Sequence, residues 1–237
     1  MRALTFAAIV GVGVTVAGVA AAGPWNDPAG RVNFTAPSGW VSEQQHSSPQ
    51  QTVVLTGSAN DECYVISSQN AGTAAASASR VHALTDPMAS ADWQTLANSI
   101  RPMFPHGNAS VTSQTVDTST FWPIQRAELA GAERPVTAAL THRPGGLDLI
   151  AMCWTYGGPD ATATYEAFFH TLANANDATW QATAEQQTAA AQAAQAAHQQ
   201  QQAAAPQQAA QQAPDPHAAA EEARRRRYGE GAALTPH

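Results

Sequence analysis

The sequence predicts an α+β fold, an antiparallel sheet of about seven strands flanked by helices and followed by a helical or disordered C-terminal tail. Three observations carry that prediction. Residues 147–156 (Leu-Asp-Leu-Ile-Ala-Met-Cys-Trp-Thr-Tyr) form a short apolar run between Gly145-Gly146 and Gly157-Gly158, the pattern of a strand buried on both faces. Tyr165, Phe168, Phe169 and Leu172 follow at helical spacing and predict the helix that covers this strand. Most of the remaining order is short alternating segments between turn residues, with one helical stretch among them.

Residues 1–22 are expected to be a secretory signal peptide cut after Ala22. Met1-Arg2 starts it, an apolar stretch over 4–19 follows, and Ala20-Ala21-Ala22 supplies the small-residue site. A retained membrane anchor is the competing reading. It is disfavoured because the run is shorter than the ~20 residues a spanning helix needs, and Gly11, Gly13, Gly18 and Gly23 weaken it further. No cysteine follows the small residues, which argues against a lipid anchor. The expected location is periplasmic or secreted, with no transmembrane span after cleavage.

Beyond a turn-rich opening at 23–28, residues 31–36 alternate as a half-buried strand. Pro37-Ser38-Gly39-Trp40 reads as a turn whose glycine takes positive φ, with Trp40 re-entering as a core or edge anchor. Strands at 52–56 and 63–68 flank a hairpin loop at 57–61. Residues 72–79 carry little signal, reading as a small-residue loop or a weak helix. Trp93, Leu96, Ala97 and Ile100 share a helix face, with Ser90 as the expected N-cap and Pro102 limiting the end. Residues 110–116 alternate like a strand with one face in water. Residues 124–129, 136–142 and 147–156 then read as three antiparallel strands, joined through Gly131-Ala132-Glu133-Arg134 and Arg143-Pro144-Gly145-Gly146.

The domain is expected over 23–180 and a low-complexity tail over 181–237. From 181 to 205 the chain is almost entirely Ala and Gln, good helix formers that cannot build a core. A partly formed helix is expected up to Pro206, with Pro206, Pro214 and Pro216 breaking the tract and a short helix over 218–228. Such a tail reads as a spacer or tether.

Composition removes several chemistries. All eleven basic residues are arginine, so there is no Schiff-base amine, no P-loop lysine and no Ser-Lys dyad. The formal charge is −7, and residues 23–180 carry six arginines against thirteen acids. A domain of that sign has no footprint for a phosphate backbone, so nucleic acid is not an expected partner.

Cys63 and Cys153 each lie in an apolar strand-like run. After export a single disulfide closing a long loop is favoured over two separate buried thiols. No Cys-x-x-Cys motif is present. None of the eight histidines has a partner at ligand spacing. His142 and His170 flank the central strand in sequence and, with Asp148, make up the alternative reading of a small hydrolase or metal-dependent enzyme. Asp148 otherwise faces solvent or pairs with Arg126 or Arg143, the structural pairing being favoured. No serine fits a nucleophile elbow, and Asp61-Glu62 reads as a solvated turn. Arg224, Arg225, Arg226 and Arg227 suit an anionic envelope surface, offset in part by Glu221, Glu222 and Glu230.

The opening Phe34-x-x-Pro37-x-Gly39-Trp40, the antiparallel strands, the hairpin over 136–156 and the closing Tyr165-x-x-Phe168-Phe169-x-x-Leu172 resemble the PsbP-like α/β/α sandwich superfamily over about residues 30–180. The resemblance implies a central antiparallel sheet between helices and an accessory or binding role rather than catalysis. It assigns no site residue, since the superfamily shares an architecture and not an active site. The expectation is therefore a monomeric, exported, non-enzymatic accessory or binding module of the cell envelope. It has no cofactor or metal, and its tail reaches an envelope protein or anionic surface.

Overall fold

The computed structural model describes residues 23–100, 102–157, 161–212 and 216–229; the expected signal peptide, 1–22, lies outside them. The chain divides into a compact unit that closes at Glu185 and a second unit from Gln186 onward.

The first unit is built from two meanders. Val41–Ser47 (β3), Gln51–Gly57 (β4) and Asp61–Gln69 (β5) form one. Ser110–Asp117 (β6), Ile124–Ala130 (β7), Val136–Arg143 (β8) and Leu147–Thr155 (β9) form the other. Pairing of β5 with β9 joins them into one antiparallel sheet, ordered β3-β4-β5-β9-β8-β7-β6. The central position of β9 explains its apolar run, because both of its faces and both of its edges are covered. Its turn requires glycine. Gly146 has φ 75°, and a Cβ there would lie 2.4 Å from the Asn70 carbonyl oxygen.

Strand alternation sorts the side chains onto two faces. One carries Val54, Cys63, Val65, Ala139, Leu149, Ala151 and Cys153, which meet Tyr165, Phe168 and Phe169 of the helix Thr162–Phe169 (α3). Trp40 and Phe34 join this layer, Phe34 meeting Phe168 edge-on at 5.5 Å. Ile66, Ala127, Leu129, Val136, Ala138, Leu140, Ile150 and Met152 occupy the opposite face. Trp93 and Ala97 of the helix Ser90–Ser99 (α2) cover them, with Met103 and Phe104. A third cluster gathers Val81 of the short helix Ala78–His82 (α1), Trp122 and Ala184. Ala184 and Trp180 belong to the start of the helix Asp177–Gln212 (α4), so the domain's core recruits residues beyond 180.

The α+β class and the seven-stranded sheet are as the sequence predicts, but one strand is exchanged. Residues 31–36 do not enter the sheet. Asn33–Thr35 (β2) pairs instead with Pro24–Asn26 (β1) in a separate two-stranded ribbon, where Trp25 stacks on Phe34 at 5.2 Å. The seventh sheet strand is β3, whose Val-Ser-Glu-Gln-Gln-His-Ser sequence has no apolar alternation because it is an edge. A register shift between Gln44 and His46 irregularises that edge and discourages pairing with another chain. Ser90 does not cap α2. The cap position falls on Ala89, and the Ser90 hydroxyl donates to Gln114 Oε1 at 3.0 Å.

Cys63 and Cys153 stand directly opposite each other on β5 and β9 and are joined by a disulfide, with Cα atoms 4.0 Å apart and 90 residues between them in sequence. It lies on the one strand pair that links the meanders.

In the second unit α4 continues past the expected stop at Pro206 as far as Gln212. A proline inside a helix forfeits one backbone hydrogen bond, and Ala/Gln on both sides favours carrying on. The last helix, Pro216–Gly229 (α5), starts with proline at its first position, where the missing N–H costs nothing. Side chains over 186–202 and 217–227 are exposed. Glu221 pairs with Arg225 at 3.7 Å and Glu222 with Arg226 at 2.8 Å, each one helical turn apart. Among the described residues no helix is long and apolar enough to cross a membrane.

Candidate functional site

The three residues of the alternative enzyme reading fall into two groups on opposite faces of the sheet. His142 and Asp148 are register partners across the β8–β9 hairpin. His142 Nδ1 donates to Asp148 Oδ1 at 2.6 Å, and Asn70 Nδ2 donates to Asp148 Oδ2 at 2.9 Å. Both Asp148 oxygens are thus engaged beside the Gly146 turn. His170 closes α3 on the other face, 2.7 Å from Asp117 Oδ2 and 2.9 Å from Arg126 Nη2. Arg126 also pairs with Glu166.

The expected pairing of Asp148 with Arg126 or Arg143 is not seen, and alternation gives the reason. Asp148 shares its face with Ile150 and Met152, whereas Arg143 points to the face of Leu149 and Ala151. Arg143 is buried there. It donates through Nε to Asp177 Oδ1 at 2.7 Å, through Nη1 to Thr141 Oγ1 at 2.5 Å and through Nη2 to the Leu172 carbonyl at 3.2 Å. Burial pulls its pKa down and Asp177 pulls it back up, with a net lowering. Arg126 faces the same side and takes Asp117 at 2.5 Å.

Two aspartates are held below the ordinary carboxylate range. Burial alone would raise Asp27, but it accepts from the backbone of Ala29 and Arg31 and from Arg31 Nε at 3.1 Å, and the net shift is downward. Thr52 Oγ1 also donates to it, tying the β1–β2 ribbon region to β4. Burial likewise opposes the shift at Asp117. Hydrogen bonds from Ser119 and His170 and the Arg126 charge overcome it and bring the pKa to about 2. A depressed carboxylate contributes stability above its unfolded value of 3.8, and that contribution is lost as pH falls toward the folded value. Denaturant unfolding followed from pH 5 to 2 is therefore expected to show stability falling below about pH 4, by at most about 1.4 kcal/mol per pH unit for each group. Asp117→Asn is expected to be less stable at neutral pH and to flatten the lower part of that curve.

An aromatic cleft lies at the far end of the sheet. β5 supplies Glu62 and Tyr64, the end of β9 supplies Trp154 with Tyr156 beyond it, and the β7–β8 turn supplies Glu133 and Arg134. Met103 and Pro105, from the segment after α2, form part of the wall of this space of about 240 Å³. Glu62 is the register partner of Trp154, so the residues at 62, 64 and 154 necessarily share the α2 face. Tyr64 and Trp154 are nearly parallel, their planes 27° apart and centroids 5.9 Å apart. Tyr156 stands at 72° to Trp154, donates to Glu62 Oε2 at 2.7 Å and carries the Arg134 guanidinium 5.0 Å above its ring. Burial and the Glu62 carboxylate push both phenols up, which keeps them protonated donors at neutral pH. Tyr156 is 45% exposed, against a core in which large side chains are closed off.

None of these aromatic residues is singled out by the sequence reading, which takes them as strand residues. The available signal is positional. Residues 62 and 64 on one strand and 154 and 156 at the end of another carry aromatic or acidic side chains at a spacing of two, beside Gly157-Gly158. Among the described residues no group of three or more His, Cys, Asp or Glu side chains is arranged to hold a metal ion.

No family model matches the chain, and no curated protein matches it. Among solved structures the chain is similar to the solution structure of cyanobacterial PsbP (CyanoP) from Synechocystis sp. PCC 6803, with 16% sequence identity and a TM-score of 0.43. The match covers 69% of this chain and 98% of that one.

Proposed function

We propose that this chain is an exported, non-enzymatic binding or accessory module of the cell envelope. It works as a monomer of PsbP-like architecture, with the aromatic cleft as its binding face and the Ala/Gln-rich tail as its tether. The observation that carries the binding role is the cleft itself. Half-buried Tyr64 and Trp154, exposed Tyr156 and a mixed-charge rim line one cleft there, whereas Trp40, Trp93, Phe104, Phe168 and Phe169 are closed off in the core. Export is supported by the small-residue site before residue 23 and by the buried disulfide, a bond that persists in oxidising compartments. The PsbP-like assignment is supported by the Phe34-x-x-Pro37-x-Gly39-Trp40 segment, in which Gly39 takes φ 82° and Trp40 re-enters the core. Exposed α5 arginines support contact of the tail with an envelope protein or an anionic envelope surface.

The test is affinity capture from solubilised cell envelope with three immobilised proteins: the intact chain, the chain ending at residue 185, and the intact chain with Trp154→Ala. Loss of retained components in both altered proteins is expected. Identical sets from the intact chain and the shortened one would overturn the tethering role, and an unchanged set with Trp154→Ala would overturn the cleft's role.

A further inference from the structure

We propose that the cleft binds neutral sugar rings of a glycan, with Tyr64 and Trp154 as the stacking floor. The assignment names the ligand class of the binding face proposed above and rests on that reading. Tyr64 and Trp154, stacked with centroids 5.9 Å apart and planes 27° apart, leave half-buried aromatic surface in the cleft, the counterpart of the C–H face of a pyranose. The rim supplies both kinds of hydrogen-bonding partner that ring hydroxyls need: Glu62 and Glu133 accept, and Arg134 donates.

The signs of those rim groups argue against charged ligands. An organic cation seeking an aromatic cage finds the Tyr156 ring already carrying the Arg134 guanidinium at 5.0 Å, a like charge where it would have to sit. A phosphate or carboxylate ligand reaching Arg134 meets the Glu62 and Glu133 carboxylates in the same space. A neutral polyol meets neither repulsion. The size agrees, since about 240 Å³ is below the roughly 300–1,000 Å³ of pockets that enclose a whole drug-sized ligand. It suits one ring of a longer chain whose neighbours continue over the surface.

The experiment is calorimetric titration of the intact chain with three neutral trisaccharides: cellotriose, maltotriose and the β-1,4-linked N-acetylglucosamine trimer. Choline chloride and sodium phosphate serve as charged probes. At least one trisaccharide is expected to bind with Kd between about 10 µM and 1 mM. Trp154→Ala is expected to weaken that binding about tenfold or more, and Arg134→Ala, on an exposed turn, to weaken it while leaving thermal unfolding unchanged. Trp25→Phe, outside the cleft, should bind as the parent does. The proposal is overturned if no trisaccharide binds at about 10 mM, if choline or phosphate binds instead, or if both cleft variants bind like the parent. If the sugars fail while envelope capture still depends on Trp154, the glycan assignment falls and the binding reading stands. If capture is also indifferent to Trp154, both fall together.

Discussion

Replacing Cys63 and Cys153 together by alanine is expected to lower the unfolding free energy by about 4–5 kcal/mol, the loss of chain restriction for a loop of this length. The two residues are 90 apart in sequence and stand opposite each other on β5 and β9. That strand pair alone joins the β3–β4–β5 meander to the β6–β9 meander. Without the bond, closing the sheet costs the entropy of a loop containing α1, α2 and three strands. For a domain of this size each kcal/mol corresponds to roughly 2–4 °C in Tm, so a fall of about 10–15 °C is expected. Reductant should destabilise the parent to a similar extent and leave the double variant unaffected. A double variant within about 1 kcal/mol of the parent would show that the strand pairing, and not the bond, restricts the chain.

Asp177→Ala is expected to cost about 3–5 kcal/mol, because it leaves the Arg143 guanidinium buried without its carboxylate. Arg143 is 3% exposed, and Asp177 takes both its Nε and Nη2. The same guanidinium lies over Trp122 at 5.4 Å and donates to the Leu172 carbonyl. Losing Asp177 therefore loosens the start of α4 from β8 and disturbs the Trp122–Ala184 cluster. The double variant Arg143→Met with Asp177→Leu removes both charges and keeps apolar volume, and it is expected to recover most of the loss. Equal stability of Asp177→Ala and the parent in urea would contradict the structural role of the pair.

Legibility in the sequence followed the physics of each segment. β9 was legible because a central strand must be apolar on both faces, and α3 because Tyr165, Phe168 and Phe169 all face one core. β3 was hidden since an edge strand with water on both faces needs no apolar alternation. β2 was legible within the alternating run 31–36, but β1 and its pairing were hidden in the turn-rich opening, where Trp25 meets Phe34 only once the ribbon forms. The His142–Asp148 pair was in principle readable. A turn over 144–146 makes 143 and 147 register partners, and hence 142 and 148. The same alternation excludes Arg143 as the partner of Asp148. The His170–Asp117–Arg126 group was not readable, and of the cleft only the spacing of two at 62/64 and 154/156 was, because each is assembled from segments brought together only by sheet order and helix docking. Glu62, Arg134 and Trp154 meet because β5 lies beside β9 and the β7–β8 turn sits at the same end.

Hydroxyl-radical footprinting of the intact chain, alone and with solubilised envelope from the cells that make it, tests the binding role of the cleft most directly. It reads the oxidation of each aromatic side chain against internal references. Oxidation of Trp154 and Tyr156 is expected to fall about threefold or more on binding, relative to Trp25 and Val41, which lie outside the cleft. Unchanged relative oxidation of Trp154 and Tyr156 in extract that the chain demonstrably binds would contradict that role.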